Sequence, residues 1–287
     1  MSLHSTLRSS AQKTAPSARI SRRYARSLEP LLPRSLWLSL LTLALIFVIW
    51  WCITALQLIS PLFLPAPQQV LHQLMTIASP KGFMDATLWQ HLAASLGRIM
   101  VALLAAIALG VPTGIAMGLS PTVRAILDPL IEIYRPVPPL AYLPLMVIWF
   151  GIGETSKILL IYLAIFAPIT LAAVAGVRSV VQVRVRAAQA LGASRWQVLR
   201  YVVLPSALPE ILTGIRIGLG VGWSTLVAAE LIAATRGLGF MVQSAGEFLA
   251  TDVVIAGIGV IAIIAFSMEL GLRAIQRRLT PWYGVQQ

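Results

Sequence analysis

The chain has 287 residues, of which 58% are hydrophobic and 11% charged, with a formal net charge of +12 and a mean hydropathy of +0.84. Soluble domains carry about 25% charged residues, so this composition excludes a globule with an ordinary water-facing surface. One cysteine, Cys52, excludes an intrachain disulfide.

The first 35 residues hold seven basic groups (Arg8, Lys13, Arg19, Arg22, Arg23, Arg26 and Arg34) against one acid, Glu29. A Ser/Arg-rich stretch with few periodic apolar residues predicts a largely disordered tail beside anionic lipid. From Leu36 to Ile59 there are 24 residues without a charge, and about 20 suffice to cross a bilayer. The run is too long for the core of a secretory signal, and no small-residue cleavage site follows it. The next segment, SPLFLPAPQQVLHQLMTIA, is interrupted by Pro61, Pro65 and Pro67. Val70, Leu71, Leu74 and Ile77 then fall at helical spacing and predict a short helix on the membrane interface.

Six spans are expected, at about Leu36–Leu58, Leu92–Leu119, Leu127–Phe150, Lys157–Val177, Leu208–Ala233 and Val253–Ala274. An even number places both termini on one side. Sixteen basic residues then lie on the proposed inside, from the N-terminal tail, Arg124, the segment from Arg178 to Arg200, Arg273, Arg277 and Arg278. Only Lys81, Lys157 and Arg236 lie on the proposed outside, so both termini are expected in the cytoplasm. The chain divides into a tail (1–35), a first span (36–59), an outer loop with an interfacial helix (60–88), a membrane domain (89–275) and a second cytoplasmic tail (276–287).

The third span carries prolines at 129, 136, 138, 139 and 144. Irregular backbone at membrane depth is tolerated where it is buried in protein or lines a water-filled cavity. Pro138 and Pro139 therefore mark a broken segment beside a pathway, or else a kinked packing helix. Gly110, Gly114 and Gly118 recur every four residues in the second span, and Gly214, Gly218 and Gly222 in the fifth. That spacing allows close helix contact, either as ordinary packing or as a sliding surface.

Between the fourth and fifth spans, residues 181–205 are too short and too charged to cross. Ala187, Ala188, Ala190 and Leu191 favour a helix, Gly192 stops it, and Ser194 with Gln197 forms a capping box for a second helix. Trp196, Leu199 and Val203 form the expected apolar stripe of that second helix, and Pro205 its end. A tight two-helix hairpin projecting into the cytoplasm results. The segment LGASRWQVLRYV also has the look of a DNA-reading helix-turn-helix, but close tethers to membrane at both ends exclude nucleic acid as its partner.

Arg98 and Arg216 lie within spans, each roughly 14 Å deep at 1.5 Å per residue. Intramembrane charges face a cavity or a partner. Arg98, Arg216 and Glu230 join Pro138 and Pro139 as candidates for a translocation path. Internal pairing with Glu132, Glu210 or Glu230 is the alternative, favoured for Arg216, with Arg98 favoured for the path. His4, His72 and His91 stand isolated, as solvated or interfacial residues. No zinc-ligand spacing, Ser/His/Asp arrangement or G-x-x-x-x-G-K-[ST] phosphate loop occurs, so neither enzymatic activity nor a cofactor is expected of this chain.

The hairpin resembles the cytoplasmic loop of ABC importer permeases, whose pattern is E-A-A-x-x-x-G, nine residues, then I-x-L-P. Ala187, Ala188, Gly192, Leu204 and Pro205 match it, with Val202 for the isoleucine; Arg186 replaces the acid, and the ionic contact of that acid does not carry over. RPVPPLAYLPLMVIWFGIGETSKI and GWSTLVAAELIAATRGLGFMVQSAGEF extend the likeness over about Trp89 to Tyr283, and FLPAPQQVL ahead of that range adds to it, within the nitrate/sulfonate/taurine branch. The resemblance implies an all-α type I importer permease fold in the bacterial inner membrane, with 89–275 as its membrane domain. It also implies a second copy of the chain, two ABC ATPase subunits that hold ATP and magnesium, a periplasmic substrate-binding protein, and taurine or a related small sulfonate as cargo. Arg186, Ala187, Ala188, Leu191, Gly192, Ser194, Trp196, Leu204 and Pro205 would then form the ATPase coupling surface. A secondary transporter is the rival on hydropathy alone, but one broken segment without a matching partner argues against the inverted repeats of such carriers.

Overall fold

The computed structural model describes residues 34–282; the expected disorder of the basic tail, and His4 within it, lie outside the described residues. The first helix, α1 (Arg34–Ala55), is uninterrupted, and its side chains from Trp37 to Ile49 are exposed. Residues up to Ile49 form one unit and those from Trp50 onward another. In the second unit follow α2 (Pro67–Ala78), α3 (Leu88–Leu119), α4 (Pro121–Tyr134), α5 (Leu143–Phe150), α6 (Glu154–Arg178), α7 (Gln182–Ala190), α8 (Arg195–Val198), α9 (Leu204–Ala233), α10 (Leu238–Glu247) and α11 (Thr251–Leu279). The architecture is all-helical.

Among the described residues, five helices are long and apolar enough to cross a membrane: α1, α3, α6, the rod running from α8 through α9, and α11. The third expected span, Leu127–Phe150, is not one helix. It consists of the end of α4, a 3-10 turn at Pro139–Tyr142 and the eight-residue α5. Proline lacks an N–H and disfavours the helical conformation of the residue before it. With Pro136, Pro138 and Pro139 in succession the ladder stops at Arg135, whose N–H donates to Ile131 O at 3.0 Å.

The central helix is α6, with α3 on one side and α9 on the other. Ile99 and Leu103 of α3, Ile161, Ile165 and Ile169 of α6, and Leu219, Trp223 and Leu226 of α9 form a continuous buried core. Both glycine stripes lie against α6. A Cβ on Gly114 would meet the carbonyl of Thr170, and one on Gly214 would meet Ala172 Cβ. Gly110 faces Ile169, Gly118 faces Val177, and Gly218 and Gly222 face Ile165. The helices approach so closely because these side chains are absent.

A second core joins α2, α10 and α11 through Ile77, Leu238, Met241, Val253 and Ala256. Val70 and Leu74 pack on it while Leu71 is exposed, so the apolar stripe of α2 is narrower than its sequence suggests. Helix α10 has no counterpart in the sequence reading: its ten residues are too few to register as a span.

Candidate functional site

The hairpin is built as its turn chemistry requires. Gly192 has φ +85°, a left-handed conformation that a Cβ penalises. Its N–H donates to Gln189 O at 2.9 Å and that of Ala193 to Ala188 O at 3.1 Å, closing α7. Ser194 N–H donates to Gln197 Oε1 at 2.8 Å while Ser194 Oγ accepts from Gln197 N–H at 3.3 Å, which completes the capping box and starts α8.

Two details differ from the sequence reading. The inward stripe is Val198, Leu199, Val202 and Val203, joined to the main core with Val177 and Val180; Trp196 is 63% exposed and points away from it. Pro205 does not end the second helix. A π turn at Leu199–Val203, closed by Leu204 N–H to Leu199 O, carries the backbone into α9 without interruption. Pro205 has no N–H to donate, and the ladder passes it through this wider turn. One face of the hairpin is therefore fastened to α6 and α9. The other leaves Arg184, Arg186, Ala187, Arg195, Arg200 and Tyr201 exposed, together with Leu191 at 89%. No acid occurs between Arg178 and Pro209 to balance these cations.

The opposite end of α9 carries a buried polar network. Arg98 of α3 is 4% exposed. It donates through Nε to Glu154 Oε2 (2.6 Å), through Nη2 to Glu154 Oε1 (2.9 Å), and through Nη1 to Glu230 Oε1 (2.5 Å) and Arg236 O (2.7 Å). Glu230, 0% exposed, also accepts from Ser95 Oγ at 2.8 Å and from Gly239 N–H at 2.9 Å. Lys157 Nζ lies 2.8 Å from Glu154 Oε1. His91 is buried, contrary to its expected interfacial place: Nδ1 accepts from Gly237 N–H at 3.2 Å, so Nε2–H donates to Phe83 O at 3.1 Å. Ser95 Oγ accepts from Leu238 N–H at 2.9 Å. His91, Ser95 and Arg98 form one polar face of α3 at helical spacing, a signal present in the sequence but masked by its apolar surroundings. Together they bind the 234–239 loop and the start of α6 to α3.

This geometry corrects the expected roles of the intramembrane charges. Arg98, expected to face a path, is enclosed and saturated by carboxylates, and Glu230 is its partner. Arg216 pairs with neither Glu230 nor Glu210 as expected, but with Glu269 of α11, at 3.0 Å through Nε and 2.8 Å through Nη2. It also donates to Gln276 Oε1 at 3.2 Å. Loop proximity in sequence suggested the wrong acid because α11 returns alongside α9 only in three dimensions.

The broken segment borders a cavity of about 450 Å³ lined by Tyr134, Arg135, Pro139 and Tyr142, with Pro168 of α6 and Val221 of α9. Pro138, exposed, precedes the 3-10 turn as its cap. Arg135, absent from the expected intramembrane charges, is placed on this cavity only by the fold.

Residues 106–281 match the family described as the binding-protein-dependent transport system inner membrane component. The chain belongs to this family. As a permease of that family it is a multi-pass inner-membrane transport component. It is 78% identical over 256 residues to the taurine transport system permease protein TauC of Escherichia coli K12, covering 89% of this chain and 93% of that one. It is 37% identical to the putative aliphatic sulfonates transport permease protein SsuC of the same organism, over 83% of this chain and 88% of the other. The permease fold is also that of the inward-facing MetNI methionine ABC transporter, at a TM-score of 0.58 and 19% identity over 67% of this chain and 96% of that one.

Proposed function

We propose that this permease forms the membrane path of an ATP-driven taurine importer. The observation that carries the reading is the 78% identity to the taurine permease over nearly the full length of both chains. Two copies would associate in the membrane, two ATPase subunits would bind ATP and magnesium on the cytoplasmic side, and a periplasmic binding protein would deliver the ligand. The excess of basic residues supports an orientation in which both termini and the hairpin would lie in the cytoplasm.

The geometry supports a mechanical role for the hairpin. Its inner face is packed on the core and its second helix continues into α9 without a flexible joint. A displacement applied to the exposed face by an ATPase subunit is therefore delivered to α6 and α9 as a rigid-body motion rather than absorbed by a loop. Exposed Leu191 and Trp196 would seat apolar contacts in the ATPase, with Gly192 setting the angle between the helices. Ala187, Ala188, Ser194, Leu204 and Pro205 hold the backbone in that shape, and Arg186 supplies a cation where the family motif has an acid.

The test is uptake of labelled taurine into proteoliposomes holding the permease, its ATPase and its binding protein, with and without ATP. ATP-dependent uptake, competed by small sulfonates and not by nitrate, is the expected result. Uptake that follows an ion gradient and persists without the ATPase would instead show a secondary transporter.

A further inference from the structure

Of the arginines placed at membrane depth, Arg98 and Arg216 are paired with carboxylates. Arg135 is not: among the described residues its side chain makes no ion pair or hydrogen bond, and it is exposed. Its depth follows from what surrounds it. The cavity it lines is closed by Pro168, near the middle of the 25-residue α6, and by Ile217 and Val221, near the middle of the 30-residue α9. An unpaired guanidinium facing hydrocarbon at that depth is costly, so it must face water or a polar visitor.

The backbone agrees. The helical ladder ends at Arg135 and resumes only at the 3-10 turn, and irregular backbone at this depth belongs beside a cavity. The wall is otherwise apolar, apart from two tyrosines that line the same cavity. Tyr142 Oη donates to Tyr134 O at 3.4 Å, and Tyr134 Oη is buried with no hydrogen-bond partner among the described residues. A mainly apolar cavity with a few convergent polar groups is the ordinary form of a small-molecule site.

We infer that the cavity at the broken helix is a transient sulfonate-binding station in the translocation path, with Arg135 as the group that meets the anion. This inference rests on the proposed taurine-importer function and deepens it. Guanidinium offers a planar pair of donors to the oxygens of a sulfonate, as it does to carboxylate or phosphate. A single cation without a second basic group in the wall attracts an anion without trapping it, which a path requires. About 450 Å³ leaves room for a small sulfonate with part of its hydration.

The experiment uses the assembled complex in proteoliposomes. Arg135→Gln is expected to slow taurine uptake about tenfold, the effect of losing one charge-assisted hydrogen bond, and Arg135→Lys to restore most of it. Both variants should retain ATPase subunits at parental level. In a Cys52→Ser background, Val137→Cys on the cavity wall is expected to react with an anionic methanethiosulfonate reagent. Saturating taurine should slow that reaction, and ethanolamine, which lacks the sulfonate, should not. Parental uptake by Arg135→Gln, or a Val137→Cys reaction indifferent to taurine or slowed equally by ethanolamine, overturns the inference. If Arg135→Gln fails to assemble, the protection assay decides alone. A parent complex that moves no sulfonate defeats the importer reading itself, whereas a parent that moves taurine without cavity protection defeats only this site.

Discussion

At one end of α9 the hairpin turns outward an exposed face whose charges are all basic, while at the other Arg98, Glu230 and Ser95 satisfy one another inside the protein and His91 bonds the backbone beside them. Both ends are polar and both interrupt an otherwise apolar chain, yet their construction is opposite. The hairpin buries only aliphatic side chains, and its arginines have no acid of their own segment to meet. The buried network leaves almost nothing unpaired: Arg98 has four acceptor contacts and Glu230 is held from α3 and from the first turn of α10. The difference teaches where the permease is meant to be fixed and where it is meant to be met. Internal pairing makes a joint between α3, α6 and α9, whereas the exposed charge of the hairpin has no acid in its own segment to pair with.

The largest test of that contrast is Arg98→Ala. It strands Glu230 without its cation in a water-excluded site, and breaking a buried pair typically costs about 3–5 kcal/mol. The expected result is loss of folded permease in detergent, measured by thermal melting, with partial recovery when Glu230→Gln is added. Equal melting of Arg98→Ala and parent would show that the network is not a joint.

Gly114→Val should follow in size. Its side chain would enter the space held by Thr170 and Ala173 of α6, and overpacking costs about 1–3 kcal/mol. Melting should fall by that amount and uptake with it. An unchanged melting temperature would mean that α3 can slide away from α6 at no cost.

Gly192→Val acts on the other side of the comparison. Nothing lies within 4 Å of a Cβ at this position, so the penalty is the left-handed backbone alone, about 1–2 kcal/mol. Because that strain changes the hairpin angle, the expected signature is functional: the complex assembles, but ATP hydrolysis and taurine uptake lose their coupling. Coupled uptake at parental efficiency would remove the turn angle from the mechanism.

The smallest expected effect sharpens the contrast between charge pairs. Arg216 and Glu269 are 28% and 26% exposed, and a solvent-screened pair contributes about 0–1 kcal/mol. Arg216→Gln should therefore melt within about 1 kcal/mol of the parent, far from the loss expected for Arg98→Ala. A loss as large as that of Arg98 would mean that α9 and α11 exclude water there, as α3 and α9 do around Glu230.

The reach of the sequence can be judged from particular residues. Gly192 and the Ser194–Gln197 box were legible because turn and cap chemistry is local: a few neighbouring residues decide φ and the first hydrogen bonds. An irregularity in the third span was legible for the same reason, since clustered prolines interrupt a helical ladder, but the fold decided that it is a break, and that it falls after Arg135. Trp196 was misread because a stripe of apolar residues at helical spacing does not say which side faces the core; of the expected stripe, Leu199 and Val203 join the core, and Val198 joins it in place of Trp196. His91 and Ser95 were unreadable in isolation, each lying among apolar residues on a long span.

The sequence by itself determined that the chain lives in a membrane, that its long apolar runs are helical, and that a charged hairpin stands between two of them. Length, hydropathy and capping are properties of short windows, and a window contains all the information they need. Only the tertiary structure decided which charges neutralise one another. Arg98 reaches Glu230 across 132 positions and Arg216 reaches Glu269 across 53, because a carboxylate is selected by distance in space, where electrostatic attraction acts, and not by distance along the chain. Among the described residues, that selection leaves Arg135 without a carboxylate beside its cavity.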